Sequence, residues 1–559
     1  MNKNSKQKIA VSKNKISNNK PLVKKINNKN NKKVAVKSTS KSTIPTNKSP
    51  KRIVKKKKPV KAILIVSIIF VLLAGISVSY LVWNYNREFT VSLTDISGIE
   101  YSGYDNTTIK NGNNFCFTID IDEGLVEYPE LLAVKANGVT LEADNGIYTV
   151  AICADTKIEV FGYGTPGLFI DNTTIIAGVN NELIIIPYGI TNIGYNSFDG
   201  LNLITTVVIP DTVTKIEDVA FYNCTNLTDI TFSNNLYTVG FSVLYGTKWL
   251  NNQPNGIVYI NDNIVYSYKG TMPANSNIFF REGIISICGM AFMQQEQLFG
   301  IHLPESLKYI GEGAFIGCIN LQTIDVKNSI QYIGRNVFYA TLWLNNHADG
   351  LVYLNNWLYS YKGTLSTVSL TIQDGVIGIA GNAFNSLTGL TSVEIPASVK
   401  YICTYAFYNC NISTISLPEN LEYIGESAFY KTSLTTITIP SKVKTIELQA
   451  FGRCTNLVSV NIISNIDILP HEIFTECSNL ESITFTGDVN KINSNAFYNC
   501  TKLNSITINS STPPTIIGSN FLSNTSANLH IYVPTQSLAT YKSYSGWSAF
   551  SDKISALNI

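Results

Sequence analysis

From Leu183 onward, the apolar positions of this 559-residue chain recur with a period of 22–23 residues. Aligned on phenylalanine, the pattern runs through Phe198, Phe221, Phe292, Phe315, Phe338, Phe384, Phe407, Phe429, Phe451, Phe474, Phe497 and Phe521. Leu434–Cys454 shows one period clearly. Leu434, Ile437 and Ile439 follow L-x-x-I-x-I, which turns three side chains inward along a short strand. Pro440 ends that strand, Val443 and Ile446 pack a second turn, and Ala450-Phe451 plugs the opposite side. One such unit cannot bury its own apolar face, but a stack of them can, so the period predicts a solenoid.

Two interruptions are copies of each other. Thr247-Lys248-Trp249-Leu250-Asn251-Asn252, followed by GIVYINDNIVYSYKGT, returns as Thr341-Leu342-Trp343-Leu344-Asn345-Asn346 with GLVYLNNWLYSYKGT. Both read as β-hairpin inserts that replace the ordinary connection, and GLFIDNTTI from Gly167 reads as a degenerate first copy. Inserts in a solenoid gather on one side and are common contact surfaces. Their aromatic residues Trp249, Tyr259, Tyr266, Tyr268, Trp343, Tyr353, Trp357, Tyr359 and Tyr361 form a candidate binding surface. The alternative is that these rings cover the solenoid's own core.

Outside the repeats the pattern changes twice. Residues 62–83 are uncharged and long enough, at about 1.5 Å per residue, to cross a membrane as a helix. Lys55–Lys58 and Lys61 flank one end, while Tyr80, Trp83 and Tyr85 gather at the other, so the expected topology is N-terminus inside and body outside. The apolar run exceeds that of a cleaved signal peptide, so an uncleaved signal-anchor is expected. Between 84 and 165, FTVSL, FCFTIDI, LLAVKANG, YTVAI and IEVFGYG read as short strands joined by turns, a small β-sandwich-like stalk. After the repeats at 166–523, residues 524–559 read as a terminal cap of one strand and a helix. The expected architecture is therefore mainly β: a disordered basic tail, one transmembrane helix, the small domain, the solenoid with its hairpins, and the cap.

Charge divides the chain. Residues 1–61 hold 21 of the 42 Lys and Arg and none of the 39 Asp and Glu, so a basic arm precedes an acidic body. The arm has no apolar periodicity and is expected to be disordered, serving as a topology determinant or a contact for anionic lipid. Nothing in it specifies nucleic acid.

Cys224, Cys318, Cys410, Cys454, Cys477 and Cys500 each fall three residues after the anchoring Phe, and Cys288 and Cys403 fall four before it. That phasing marks small buried core residues, and no metal ligand set is expected. Cys116 and Cys153 lie in predicted strands and read either as a disulfide between two sheets or as two buried thiols. His302, His347, His471 and His530 fall at different repeat phases, and Thr475 stands where a zinc-protease helix starting at His471-Glu472 needs its second His. Neither a phosphate loop nor a nucleophile elbow is present, so no catalytic residue and no cofactor are expected.

The motif I-x-I-P-x-x-V-x-x-I-G-x-x-A-F-x-x-C, present in Leu303–Cys318 and, up to its Phe, in Leu417–Phe429, resembles the BspA-like leucine-rich repeats of bacterial and protist surface proteins. That resemblance implies a solenoid, display at the cell surface and a role in adhesion or host contact, with no defined ligand. Outward positions of successive strands, such as Thr436 and Thr438, Ser459 and Asn461, Ser482 and Thr484, and Ser505 and Thr507, form a Ser/Thr ribbon. It is either a hydrogen-bonding track or a stabilising ladder. The expected function is a membrane-anchored surface protein that binds an extracellular protein or glycan; the alternative is an envelope scaffold without a specific ligand.

Overall fold

The fold is described from a computed structural model covering residues 87–557, apart from 97–98, 105, 123, 129–130, 145–146, 172, 328, 365–367 and 519. The basic arm, the expected membrane helix at 62–83 and the Asn145-Gly146 turn lie outside the described residues. Among the described residues no helix is long and apolar enough to cross a membrane.

Each repeat forms one coil of two short strands and two tight turns. In the coil beginning at Leu434 the strands are Thr436–Ile439 and Thr445–Ile446. Leu434, Ile437, Ile439, Val443, Ile446, Ala450, Phe451 and Cys454 are all buried, as the inward reading of the repeat requires. The turn that carries the Phe uses two left-handed residues per coil, as at Gln449 and Arg453 or at Asn495 and Asn499. Asn and Gly suit this region; Val219, at φ 53°, does not.

Coils stack in parallel register. Thr436, Ser459, Ser482, Ser505 and His530 pair in one row, and Thr438, Asn461, Thr484, Thr507 and Tyr532 in the next. Behind the strands the Phe rings form a ladder with centroids 4.8–5.8 Å apart. In six coils a cysteine three residues later closes the turn. The thiols of Cys224, Cys318, Cys410, Cys454, Cys477 and Cys500 donate to the carbonyls of Phe198, Phe292, Phe384, Phe429, Phe451 and Phe474, at 2.9–3.2 Å. Where the residue is Thr, its hydroxyl donates within its own turn instead, from Thr247 to Leu244, Thr341 to Phe338 and Thr432 to Phe429. These thiols are therefore buried polar donors as well as apolar filler.

The solenoid is broken into three stacks, and each opens with an antiparallel hairpin. The hairpins are Phe169–Asp171 with Thr174–Ala177, Gly256–Ile260 with Ile264–Lys269, and Gly350–Leu354 with Trp357–Lys362. In each case the second strand begins a new parallel ladder of two-residue strands. Gly167–Ala177 is thus the same starting device as the two inserts.

The inserts also contain short helices, Lys248–Asn252 and Leu342–Asn345, N-capped by Thr247 and Thr341. Lys269 donates to the carbonyls of Asn251 and Gln253, and Lys362 to those of Asn345 and His347, so a lysine on each hairpin closes the end of each helix.

Residues 88–161 form two sheets, one five-stranded and one four-stranded. They share a core that includes Phe89, Val91, Phe115, Phe117, Ile158 and Val160. Strands cover all five predicted segments. Asn137 and Gly138, both at positive φ, make the tight turn between Ala133–Ala136 and Val139–Thr140. Phe161 packs edge-on against Tyr188 of the first coil at 5.0 Å. At the other end, the cap has the expected strand His530–Val533 and helix Leu538–Ser543. It then adds a strand, Ile554–Ala556, which pairs with His530–Val533 and extends the stack over buried Tyr541 and Trp547.

Cys116 and Cys153 are free and exposed, which corrects both the bridge and the buried-thiol expectations. Cys116 pairs across from Thr149 in the strand Ile147–Ala151, and Cys153 follows two residues beyond that strand's end, where Ile152 still bonds to Gly112 and Asn113. A pleated strand advances about 3.4 Å per residue, and a residue four positions along it lies beyond disulfide reach.

Candidate binding site

The hairpin aromatics turn inward. Tyr266, Trp357 and Tyr359 are 4%, 1% and 3% exposed. Trp249, Tyr259, Tyr268, Trp343, Tyr353 and Tyr361 are half-buried against the core. Trp249 meets Phe232 at 5.6 Å and Tyr266 at 6.3 Å; Trp343 meets Phe338 and Tyr359, both at 5.4 Å. Tyr268 packs on Phe292, Trp357 lies flat on Tyr401, Arg281 covers Tyr259, and the Tyr353 hydroxyl accepts from the Gln373 N–H. The rings thus pack against the solenoid's own core, as the alternative reading has it, and the reason is the break in the stack. In an ordinary coil the Phe221 N–H donates to Val243 and the Phe315 N–H to Val337 in the next coil. Leu244 and Phe338 are the last of their stacks. Their N–H groups donate instead to the hydroxyls of Tyr266 at 2.7 Å and Tyr359 at 2.8 Å. The rings seal an end that would otherwise leave a buried donor unpaired.

The breaks also re-aim the stacks. The outer face of the two-residue-strand ladder in all three stacks lines a partly open chamber of about 690 Å³. Tyr237 of the first stack stacks on Tyr309 of the second at 5.2 Å. The Tyr332 hydroxyl of the second lies 3.1 Å from the Thr404 hydroxyl of the third. The Gly381 N–H of the third stack donates to the Ile333 carbonyl of the second.

The repeat fixes which residues face the chamber. The first residue of each short strand points outward, which places Lys215, Tyr309, Tyr332, Tyr401 and Tyr423 on the wall, while the isoleucine after it is buried. The glycine that follows, as in Gly311, Gly334 and Gly425, is there because a Cβ would meet the neighbouring coil's backbone at 2.3–2.6 Å. Ile216-Glu217 and Ile446-Glu447 put a glutamate at this glycine position, and both line the chamber. That substitution is the legible sign of the site in the sequence, and it forms part of no catalytic or metal-binding motif.

Charge in the chamber is unbalanced. Lys215 pairs with Glu217 at 3.2 Å, and Glu217 also accepts from Asn192 and from the Tyr195 N–H. Burial works against the Glu217 charge, but Lys215 and these donors outweigh it and hold the carboxyl below its usual range. Arg335 pairs with Glu312 at 2.5 Å and lies over the Tyr405 ring. Asp218, Glu426 and Glu447 form no ion pair among the described residues. Burial raises all three carboxyls, Asp218 to about 6 against the donated Phe241 N–H, with Glu312 and Glu217 adding to the rise and Lys215 opposing it. Burial also raises the Tyr309 and Tyr401 phenols, which stay protonated. No group of three or more His, Cys, Asp or Glu among the described residues is placed to hold a metal ion.

The family profile described as BspA type leucine rich repeat region matches in six copies over residues 177–272, 265–348, 358–481 and 422–553. Among solved structures, a leucine-rich repeat protein from Bacteroides ovatus is similar at 20% identity and a TM-score of 0.27, over 71% of this chain and 98% of that one. One from Eubacterium ventriosum has 20% identity and a TM-score of 0.26, over 72% and 95%. The pneumococcal vaccine antigen PcpA has 15% and 0.26, over 83% and 100%. A search of curated protein sequences finds no match. The profile covers well over half of the chain, and the chain belongs to the BspA-type leucine-rich repeat proteins.

Proposed function

We propose that this chain is a cell-surface binding or adhesion protein, held in the membrane by residues 62–83 with its N-terminus inside and its solenoid outside, and that it engages an extracellular protein or glycan. Membership of the repeat family supports this reading, as does the division between a basic arm and an acidic body. The observation that carries it is the pair of in-register polar rows on the last six-stranded sheet, Thr436 to His530 and Thr438 to Tyr532. Hydroxyl and amide groups repeat there at the strand spacing of about 4.8 Å, which suits a polymer or an extended chain laid along the stack. The hairpin rings are engaged in the core, so this face is the open one. Catalysis has no place in the proposal.

The test is an array of glycans and matrix proteins probed with the full chain in detergent. A specific ligand should bind, and the double variant Ser482→Arg with Thr484→Arg should weaken it at least about ten-fold by placing two cations mid-track. Undiminished binding by that variant removes the track from the account, and no binding at all removes the adhesion reading.

A further inference from the structure

We propose that the chamber between the three stacks is a binding site for a small organic amine carrying two or more ammonium groups. The proposal stands on geometry independent of the strand-face track. Of the acids on the wall, Glu217 and Glu312 have direct cationic partners in Lys215 and Arg335. Asp218, Glu426 and Glu447 do not, and the Glu447 carboxylate accepts no hydrogen bond among the described residues. These three acids come from two different stacks, Asp218 from the first and Glu426 and Glu447 from the third. A compact ion suits one tight cluster of ligands, and no such cluster exists here. Ammonium groups spaced along a flexible chain suit carboxylates spread around a wall.

The tyrosines supply the rest of the chemistry. Tyr309, Tyr332, Tyr401 and Tyr423 present aromatic surface for the methylene spacers and for cation–π contact. A volume of about 690 Å³ lies within the range of small-molecule sites, about 300–1,000 Å³. The raised carboxyls point the same way: burial penalises their charge, and an arriving cation would offset that penalty. The same ammonium chemistry is available from a free polyamine or from lysine side chains of a peptide.

Isothermal titration of the full chain in detergent at pH 7.5, with spermidine and with an end-blocked tri-lysine peptide as probes, tests this directly. Saturable binding of spermidine alone assigns a free polyamine; binding of tri-lysine as well assigns lysine side chains as a source. Glu447→Gln and Glu426→Gln should each weaken binding by roughly ten-fold. Both neutralise a charge whose burial is unfavourable, so the variants should fold, which an unchanged or raised melting temperature would confirm. Glu419→Gln, on the exposed surface, should leave binding as it is. Failure of both probes to bind overturns the proposal, as does binding that neither chamber variant weakens. Neither result bears on the strand-face track, whose own variant lies on the other sheet.

Discussion

Val219 occupies a left-handed turn position that Asn196, Asn336 and Asn382 fill in other coils, and a β-branched side chain at φ 53° is strained there. Val219→Asn should therefore stabilise the protein by about 1 kcal/mol, read as a higher melting temperature, with the backbone bond from its N–H to Phe241 retained. Cysteine tells a complementary story. Its phase in the repeat identified burial, but which carbonyl it satisfies depends on the coil before it, which the spacing of one chain segment does not show. Burial holds the Cys477 thiol well above its ordinary pKa, so it stays protonated as a donor to the Phe451 carbonyl. Cys477→Val should cost about 1–3 kcal/mol by orphaning that carbonyl, and Cys477→Ser distinctly less. Equal losses for the two variants would show that the thiol acts only by its volume.

The coil was legible because three levels agree: strand alternation, Pro and Gly punctuation, and a phenylalanine at a fixed period. The hairpins were legible because the second insert repeats the first. What the sequence left open was the direction of their rings. Alternating aromatics in YSYK satisfy an inward and an outward reading equally well, and only the open end of the preceding stack decides between them. Tyr359→Phe should destabilise by about 1–2 kcal/mol, since it removes the acceptor of the Phe338 N–H, and Tyr266→Phe should act alike through Leu244. Denaturation curves indistinguishable from wild type would contradict the sealing role. The Cys116–Cys153 bridge failed for a related reason: two cysteines in strand-like segments carry no information about which strands neighbour one another.

At the scale of the whole molecule, the two hairpin breaks turn a straight array into three stacks around a chamber, and the residues brought together there, from Tyr195 to Leu448, lie up to 253 positions apart. Only Glu217 and Glu447, standing where glycine belongs, hinted at it. The chamber has a pH signature. Burial on folding raises Asp218 to about 6, with Glu312 and Glu217 adding to the rise, so the folded protein holds this proton more tightly than the unfolded chain. Its contribution to the fold is therefore fully present below about pH 4, the range of the unfolded carboxyl, and is lost progressively as pH rises to about 6. Asp218→Asn should remove that part of the pH dependence of melting while still accepting from the Phe241 N–H.

The most direct test of the chamber is zero-length carbodiimide crosslinking followed by peptide mass spectrometry. In an unbroken solenoid the coils of Lys215 and Glu447 would be separated by about ten strand spacings, roughly 45 Å. Closure around the chamber predicts a Lys215 link to Glu447 or Glu426, with which it interacts electrostatically. Lys215 links confined to its own stack, such as Glu217, would contradict it.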